Sequence, residues 1–188
     1  MKKKNLFKLT YLIDLIIAFF GLIFLSPVFI LLFILCYLDT GSPLFFQNRV
    51  GLNLKIFKIV KFRTMQKKTL SRATHLISAA NFTSLGYYLR KFKLDEIPQL
   101  INILKGEMSL VGPRPCLLNQ KRLIIERKKR RVYKVKPGIT GLAQVSGINM
   151  SRPALLAKTD LKMIKQMNLF YYFYYIFKTV LLIFSKRS

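Results

Sequence analysis

Leu15 to Leu38 reads LIIAFFGLIFLSPVFILLFILCYL, an uncharged run of 24 residues held between Asp14 and Asp39. As one helix at ~1.5 Å per residue it would measure about 36 Å, enough to cross a bilayer. Ser26-Pro27 sits at its middle. Pro27 offers no N–H to the Ile23 carbonyl, and its ring presses on that turn, so a bend is expected there. Each half then covers ~17 Å, short of a ~30 Å hydrocarbon core. Basic residues flank both ends, beginning with Lys2, Lys3, Lys4 and Lys8, and positive-inside logic prefers both ends on the cytoplasmic face. Two arrangements fit: a kinked spanning helix, the ordinary reading of such a run, and a helix–break–helix that enters one leaflet and returns. A signal peptide fits worse, because no small-x-small cleavage site follows.

Outside this run the composition narrows the options. The chain has 188 residues, 33 Lys and Arg against 7 Asp and Glu, a net charge of +26, and 52% hydrophobic residues. A disordered basic tail would be poor in apolar residues, and a multi-span transporter would need several runs of this length. Cys36 and Cys116 provide no disulfide framework, and His75 has no Cys or His cluster around it for zinc. The positive charge calls for an anionic partner: nucleic acid, anionic lipid or a phosphorylated substrate. Any carboxylate chemistry must come from Asp14, Asp39, Asp95, Glu96, Glu107, Glu126 or Asp160.

After Asp39 the pattern changes to short extended pieces. Gly41-Ser42-Pro43 breaks the helix, Leu44-Phe45-Phe46 suits a strand, and Asn48-Arg49-Val50-Gly51 suits a turn. Ile56 to Arg63 suits a second strand with basic side chains among aromatics. That interleaving reads either as a nucleic-acid surface or as a half-buried strand with a solvated face. Gln66 to Thr83 is polar and basic, without a pattern.

Leu94 to Gly106 predicts a helix. Ile97, Leu100, Ile101 and Leu104 fall on one face, Pro98 suits the first turn, and Gly106 suits the C-terminal cap. Asp95-Glu96 therefore lies at the helix's positive end, following Arg90, Lys91 and Lys93, where dipole and cations favour ionised carboxylates. Asp95 is read either as a reactive carboxylate or as an ordinary N-cap. Met108 to Val111 predicts a short strand leading into Gly112-Pro113-Arg114-Pro115. There two prolines stiffen the backbone around a guanidinium suited to phosphate oxygens; the alternative is a rigid turn. Lys121 to Lys136 predicts a basic helix against headgroups or phosphates. Pro137 to Gly147 is a glycine-punctuated loop able to cradle phosphate through N–H groups, with neither Walker nor Rossmann spacing. Leu169 to Phe184, rich in tyrosine and interrupted by Lys178, predicts an interfacial helix, with a buried core helix as the other reading.

Several of these blocks resemble the bacterial sugar transferases, the monotopic polyprenyl-phosphate phosphoglycosyl transferases that initiate glycoconjugate assembly. They are Ser26-Pro27, Gln47-x-Arg49-x-Gly51, Lys61-Phe62-Arg63-Thr64-Met65, and Leu85-Gly86 with Leu89-Arg90. Then follow Leu94-Asp95-Glu96-Ile97-Pro98-Gln99-Leu100, Gly112-Pro113-Arg114-Pro115, and Pro137-Gly138-Ile139-Thr140-Gly141-Leu142-Ala143-Gln144-Val145-Ser146-Gly147. They run in the family's order over nearly the whole chain.

The resemblance implies a mixed, helix-rich α/β fold in three parts. Residues 1–40 would form a basic start and a re-entrant membrane helix broken at Ser26 and Pro27, reversing the preference for a span. Residues 41–150 would form the catalytic domain, and 151–188 interfacial helices. It places the protein on the bacterial inner membrane with its catalytic domain on the cytoplasmic face. It implies transfer of a sugar 1-phosphate from a UDP-sugar to polyprenyl (undecaprenyl) phosphate with release of UMP. Asp95 would be the nucleophile, forming a covalent phosphosugar intermediate, and Glu96 would bind Mg²⁺. Arg114 and Arg90 would contact phosphate, with Lys61 and Arg63 as further cations at motif positions. The polyprenyl phosphate never leaves the bilayer, which accounts for the membrane element.

Two departures stand out. Ser151-Arg152-Pro153-Ala154-Leu155 replaces a tryptophan-glutamate segment that many members carry upstream of the aspartate matching Asp160, and Met163 replaces a tyrosine. Two other readings compete with the transferase: a non-enzymatic basic membrane protein that binds anionic lipid or nucleic acid, and a glycosyl transferase that releases UDP. On the leading reading no nucleic acid is expected as a partner.

Overall fold

The computed structural model describes residues 3–66 and 82–185, with side chains from Asn5 onward. The expectations placed on Lys2, on His75 and on most of the 66–83 stretch lie outside the described residues. The architecture is mixed α/β and helix-rich.

Helix α1 (Lys3–Phe24) begins well before the uncharged run, and α2 (Ser26–Thr40) follows after one non-helical residue, Leu25. The break thus falls one residue ahead of Ser26-Pro27, because proline in the first turn of α2 needs no N–H partner there. The Ile23 carbonyl that proline leaves open accepts the Ser26 hydroxyl at 2.7 Å. Only α1 is long and apolar enough to cross a membrane among the described helices, over Asn5–Phe24.

In α1 the buried positions Leu6, Thr10, Asp14 and Ala18 recur every four residues, the spacing of one helix face. Asp14, an end marker in the sequence, is a buried pin. It accepts from the Ser109 hydroxyl at 2.7 Å, the Leu110 N–H at 2.8 Å and the Tyr172 hydroxyl. Ala18 packs with Phe57, Ile59, Leu100, Ile103 and Met108. From α2, Leu32 and Cys36 pack with Phe62 and Leu89. Both arms of the break therefore rest on one domain. Their other faces, with Phe19, Phe20, Ile23, Phe24, Ile30 and Leu31, are exposed.

Strands β1 (Leu44–Val50) and β2 (Ile56–Phe62) pair antiparallel from Leu44 opposite Phe62 to Val50 opposite Ile56. Asn48-Arg49-Val50 is therefore strand. The turn lies at Gly51–Lys55, where Asn53 and Leu54 take positive φ. The apolar signal fails in β1 because its inward positions include Gln47 and Arg49, which face a site rather than a core. Further on come α3 (Ser84–Lys91), α4 (Gln99–Leu104), β3 (Ser109–Val111) and β4 (Cys116–Leu117). They are followed by α5 (Lys121–Lys129), β5 (Gly138–Thr140), α6 (Leu142–Val145), α7 (Pro153–Gln166) and α8 (Leu169–Ser185). Strand β4 adds to β1, giving the order β2-β1-β4, while β3 and β5 form a parallel pair.

The 137–147 stretch supplies β5 and α6, and its Gly138 sits in close backbone contact. A Cβ on Gly138 would lie 2.0 Å from the Gly112 nitrogen, and one on Gly112 2.5 Å from the Lys136 carbonyl. Gly138→Ala is expected to lower stability by about 3 kcal/mol or more, since backbone on both sides has no room to yield; denaturant unfolding checks this. Helix α5 is also less exposed than its charge implies, because Leu123 and Arg127, four apart, are buried against α7. Helix α8 divides cleanly. Tyr172, Tyr175 and Thr179 are buried, while Phe170, Phe173, Phe177, Val180, Leu181 and Phe184 are exposed.

Candidate active site

The helix expected over 94–106 forms in two pieces. Lys93 takes a left-handed φ of 56°, turning the chain sharply out of α3, and Leu94–Glu96 make a single 3-10 turn ahead of α4. Gly106, at φ 74°, closes the segment as expected. The buried face is wider than the apolar stripe, and includes Gln99 and Asn102 beside Leu100 and Ile103. Asn102 accounts for this. Its Oδ1 accepts from the Val60 N–H at 3.0 Å, and its Nδ2 donates to the Lys58 carbonyl at 2.8 Å and to Glu107 at 2.7 Å. One carboxamide thus locks α4 to β2 and fixes the carboxylate pair relative to Lys61.

Asp95 and Glu96 are both buried, 6% and 8% exposed. Glu96 Oε1 accepts from Lys61 Nζ at 2.7 Å and from Arg114 Nη2 at 3.0 Å. Asp95 Oδ2 lies 3.7 Å from Lys61 Nζ and accepts no hydrogen bond from the described residues. The two carboxyls consequently diverge. Burial works to raise both, but beside Glu96 the Lys61 and Arg114 cations win and hold it well below the usual range. For Asp95 burial wins, aided by the Glu96 charge, and its carboxyl is pushed up despite Lys61, Arg90 and Arg114. The expected bias of helix end and cations towards the ionised form matches the direction of Glu96, while Asp95 shifts the other way. The reason is that a six-residue helix three residues downstream supplies little field against that burial.

The other expected cations divide. Arg90 lies near enough to Asp95 to act on it electrostatically, with its guanidinium 4.4 Å above the Phe82 ring. Arg63 is spent elsewhere: it donates to the Ser42 and Leu44 carbonyls at 3.0 and 3.2 Å, clamping the turn between α2 and β1. The structure therefore brings Lys61, Arg114 and Arg90 around the dyad and leaves Arg63 out. Ser26 and Pro27 sit at the membrane-helix break, apart from these groups.

Three residues were missed as individual site members. Arg49 donates to the Pro115 carbonyl at 3.1 Å and to the Gln47 side chain, and burial beside Arg114 lowers its guanidinium to about 10. Gln99 lines the same small cavity as Arg49, Lys61, Glu96 and Arg114, and its amide Nε2 is buried without a partner. Arg127 is buried behind them and donates Nη1 to the Arg114 carbonyl at 2.8 Å and Nε to Asp160 at 2.9 Å. Asp160 is thus a structural ion-pair partner that steadies the Pro113-Arg114-Pro115 loop. The Gln47-x-Arg49 and Pro98-Gln99 blocks carried a signal for the first two; nothing local distinguished Arg127 from the basic residues after it.

A mixed α/β domain with exposed apolar faces on α1, α2 and α8, together with a buried, cation-braced Asp-Glu pair, has the parts of a membrane-associated transferase. The bacterial sugar transferase family model matches residues 5–186, and the chain belongs to that family. It is 45% identical to the uncharacterized sugar transferase EpsL of Bacillus subtilis over 139 residues, 73% of this chain and 68% of the relative. It is 35% identical to the exopolysaccharide production protein ExoY of Rhizobium meliloti over 185 residues, 89% of this chain and 81% of the relative. Similarity also extends to the UDP-glucose:undecaprenyl-phosphate glucose-1-phosphate transferase of Escherichia coli. It is 40% identical over 142 residues, 71% of this chain but 30% of that longer protein. These matches give no support to the reading as a non-enzymatic lipid- or nucleic-acid-binding protein.

Proposed function

We propose that the protein transfers a sugar 1-phosphate from a UDP-sugar to polyprenyl phosphate and releases UMP. The observation that carries this reading is the division of labour in the dyad: Glu96 is hydrogen-bonded by both Lys61 and Arg114, while Asp95, 3.7 Å from Lys61 Nζ, accepts no hydrogen bond from the described residues. In the first step an Asp95 oxygen attacks the sugar-bearing phosphorus of the donor. The bond to the bridging oxygen breaks, and UMP departs with the electron pair. In the second step an oxygen of the lipid phosphate attacks the same phosphorus. The acyl-phosphate bond breaks, Asp95 is restored, and polyprenyl diphosphosugar forms. Lys61 and Arg114 supply fixed positive charge where the pyrophosphate charge builds. Arg114, 38% exposed in its side chain, is a cation open to an incoming phosphate, and Arg90 acts on Asp95 electrostatically.

Mg²⁺ suits this donor set. Glu96 Oε2 is buried without a hydrogen-bond partner, next to Asp95. No group of three or more His, Cys, Asp or Glu is assembled among the described residues, so an ion here would be held by one or two carboxylates and completed by substrate phosphates. Glu96, with Asp95 beside it, would hold the ion, which supplies charge neutralisation on the diphosphate when bound.

The test is nucleotide release from a panel of UDP-sugars with the purified protein, Mg²⁺ and polyprenyl phosphate. UMP that requires the lipid is expected, and UDP would instead identify an ordinary glycosyl transfer. The same panel identifies the sugar.

The membrane element is read as re-entrant, on the cytoplasmic face of the bacterial inner membrane, because Asp14 and Ala18 before the break and Leu32 and Cys36 after it rest on one domain. Cysteines introduced at Asn5 and at Asp39 are expected to react with an impermeant thiol reagent from the same side of oriented vesicles. Labelling from opposite sides would establish a span.

A further inference from the structure

A cavity of about 430 Å³ opens beside the N-terminal half of α1, within the range of small-molecule and lipid-tail pockets. Its apolar walls include Phe7 and Tyr11 of α1 and Ile164 and Met167 at the end of α7, and it shares no lining residue with the small cavity at the dyad. Three lysines also line it: Lys8, Lys134 and Lys136. None of them forms an ion pair among the described residues. The carboxylate in the wall, Asp14, already accepts from Ser109, Leu110 and Tyr172. Lys136 Nζ lies 3.6 Å from the centre of the Tyr11 ring, a cation held on an aromatic face within the field of Asp14, so three ammonium groups face one carboxylate. Immediately outside, α1 presents Leu12 and Ile16 to the surroundings.

An apolar space, three ammonium groups against a single wall carboxylate, and an adjoining helix with exposed apolar residues describe an anionic amphiphile. A nucleotide would leave the walls unmatched, and a neutral lipid would leave the lysines unmatched. The polyprenyl acceptor must bring its phosphate to Asp95, whereas none of the dyad's surroundings line this space. We propose that this cavity is a second lipid site, holding an acyl chain of an anionic phospholipid whose phosphate is met by Lys134, Lys136 and Lys8. The proposal rests on the membrane-surface placement given above and is independent of the transfer chemistry.

The test uses the full chain, reconstituted with phosphatidylglycerol or phosphatidylcholine, extracted in mild detergent and weighed by native mass spectrometry. One retained phosphatidylglycerol per chain is expected, with phosphatidylcholine not retained. Replacing two cations, in Lys134→Gln with Lys136→Gln, should lower retention about thirtyfold, from ~1 kcal/mol per basic residue near an anionic surface. Filling the space, in Ile164→Trp with Met167→Trp, should abolish it. Both variants should still float with vesicles, because the exposed faces of α2 and α8 are untouched. No retained lipid in the wild type, or retention indifferent to both variants, overturns the site. Polyprenyl phosphate displacing phosphatidylglycerol overturns it by making the cavity the acceptor's. Wild type that fails to float overturns the membrane placement and the proposal with it.

Discussion

Asp95→Asn is expected to lower turnover by on the order of 10⁴-fold or more, the scale of losing the nucleophile from a covalent mechanism, and at the same time to raise the denaturation midpoint at pH 7. The two effects have one cause. Burial and the adjacent Glu96 push the Asp95 carboxyl above its ordinary value, so the fold favours its neutral form while the reaction requires the anion. A group raised in the folded state contributes its stabilisation below the unfolded value, ~3.9 for Asp, and loses it as pH rises through the folded value. The stability gap between Asp95→Asn and wild type should therefore vanish in acid and open towards neutrality. Glu96→Gln should behave oppositely. Lys61 and Arg114 hold Glu96 low, so its contribution is present above ~4.3 and fades only as pH falls through the folded value. At pH 7 its loss leaves two cations facing a neutral amide, and the midpoint should drop. Thermal melts of the two variants across pH, beside UMP release, check all of this. A destabilised Asp95→Asn that keeps its turnover would remove Asp95 from the mechanism.

What the sequence disclosed depended on whether a residue's role had a local signature. Pro27 did, because a missing N–H acts on its own turn, and the break appears at Leu25, beside it. Gly106 did, through its positive φ. Asp95-Glu96 was legible as a pair, but not the divergence between its members. That divergence comes from Lys61 and Arg114, some 35 residues before and 18 after Glu96. Asp14 read as the boundary of an apolar run, although it ties α1 to Ser109 and, 158 residues away, to Tyr172. Arg49 and Gln47 interrupted the apolar alternation and moved the predicted turn into a strand. Gly138 and Gly141 were legible as loop glycines, but not their close approach to Gly112, some 26 to 29 residues earlier in the chain.

The Arg127–Asp160 pair is expected to give the largest single-site loss of stability away from the dyad, and an unequal one. Both side chains are nearly inaccessible, at 2% for Arg127 and 1% for Asp160. Arg127 Nε donates to Asp160 Oδ2, Nη2 lies 2.8 Å from the same oxygen without making a second hydrogen bond, and Oδ1 has no partner. Removing one member of such a pair strands the other and costs about 3–5 kcal/mol. Burial raises the Asp160 carboxyl even beside its arginine. In Arg127→Met the stranded aspartate can therefore take up a proton, while in Asp160→Asn the stranded guanidinium has no such escape. Asp160→Asn should consequently be the worse variant. Arg127→Met should recover relative to wild type as pH is lowered, since its neutral aspartic acid is the form the site prefers. The double replacement Arg127→Met with Asp160→Leu should restore most of the stability, because it removes both buried charges together. Activity should not return with it. Arg127 Nη1 also holds the Arg114 carbonyl, and without that bond the guanidinium braced on Glu96 loses its backbone anchor. A double variant that is stable yet slow would separate the pair's two tasks; one that is stable and fully active would show that Pro113 and Pro115 alone suffice to aim Arg114.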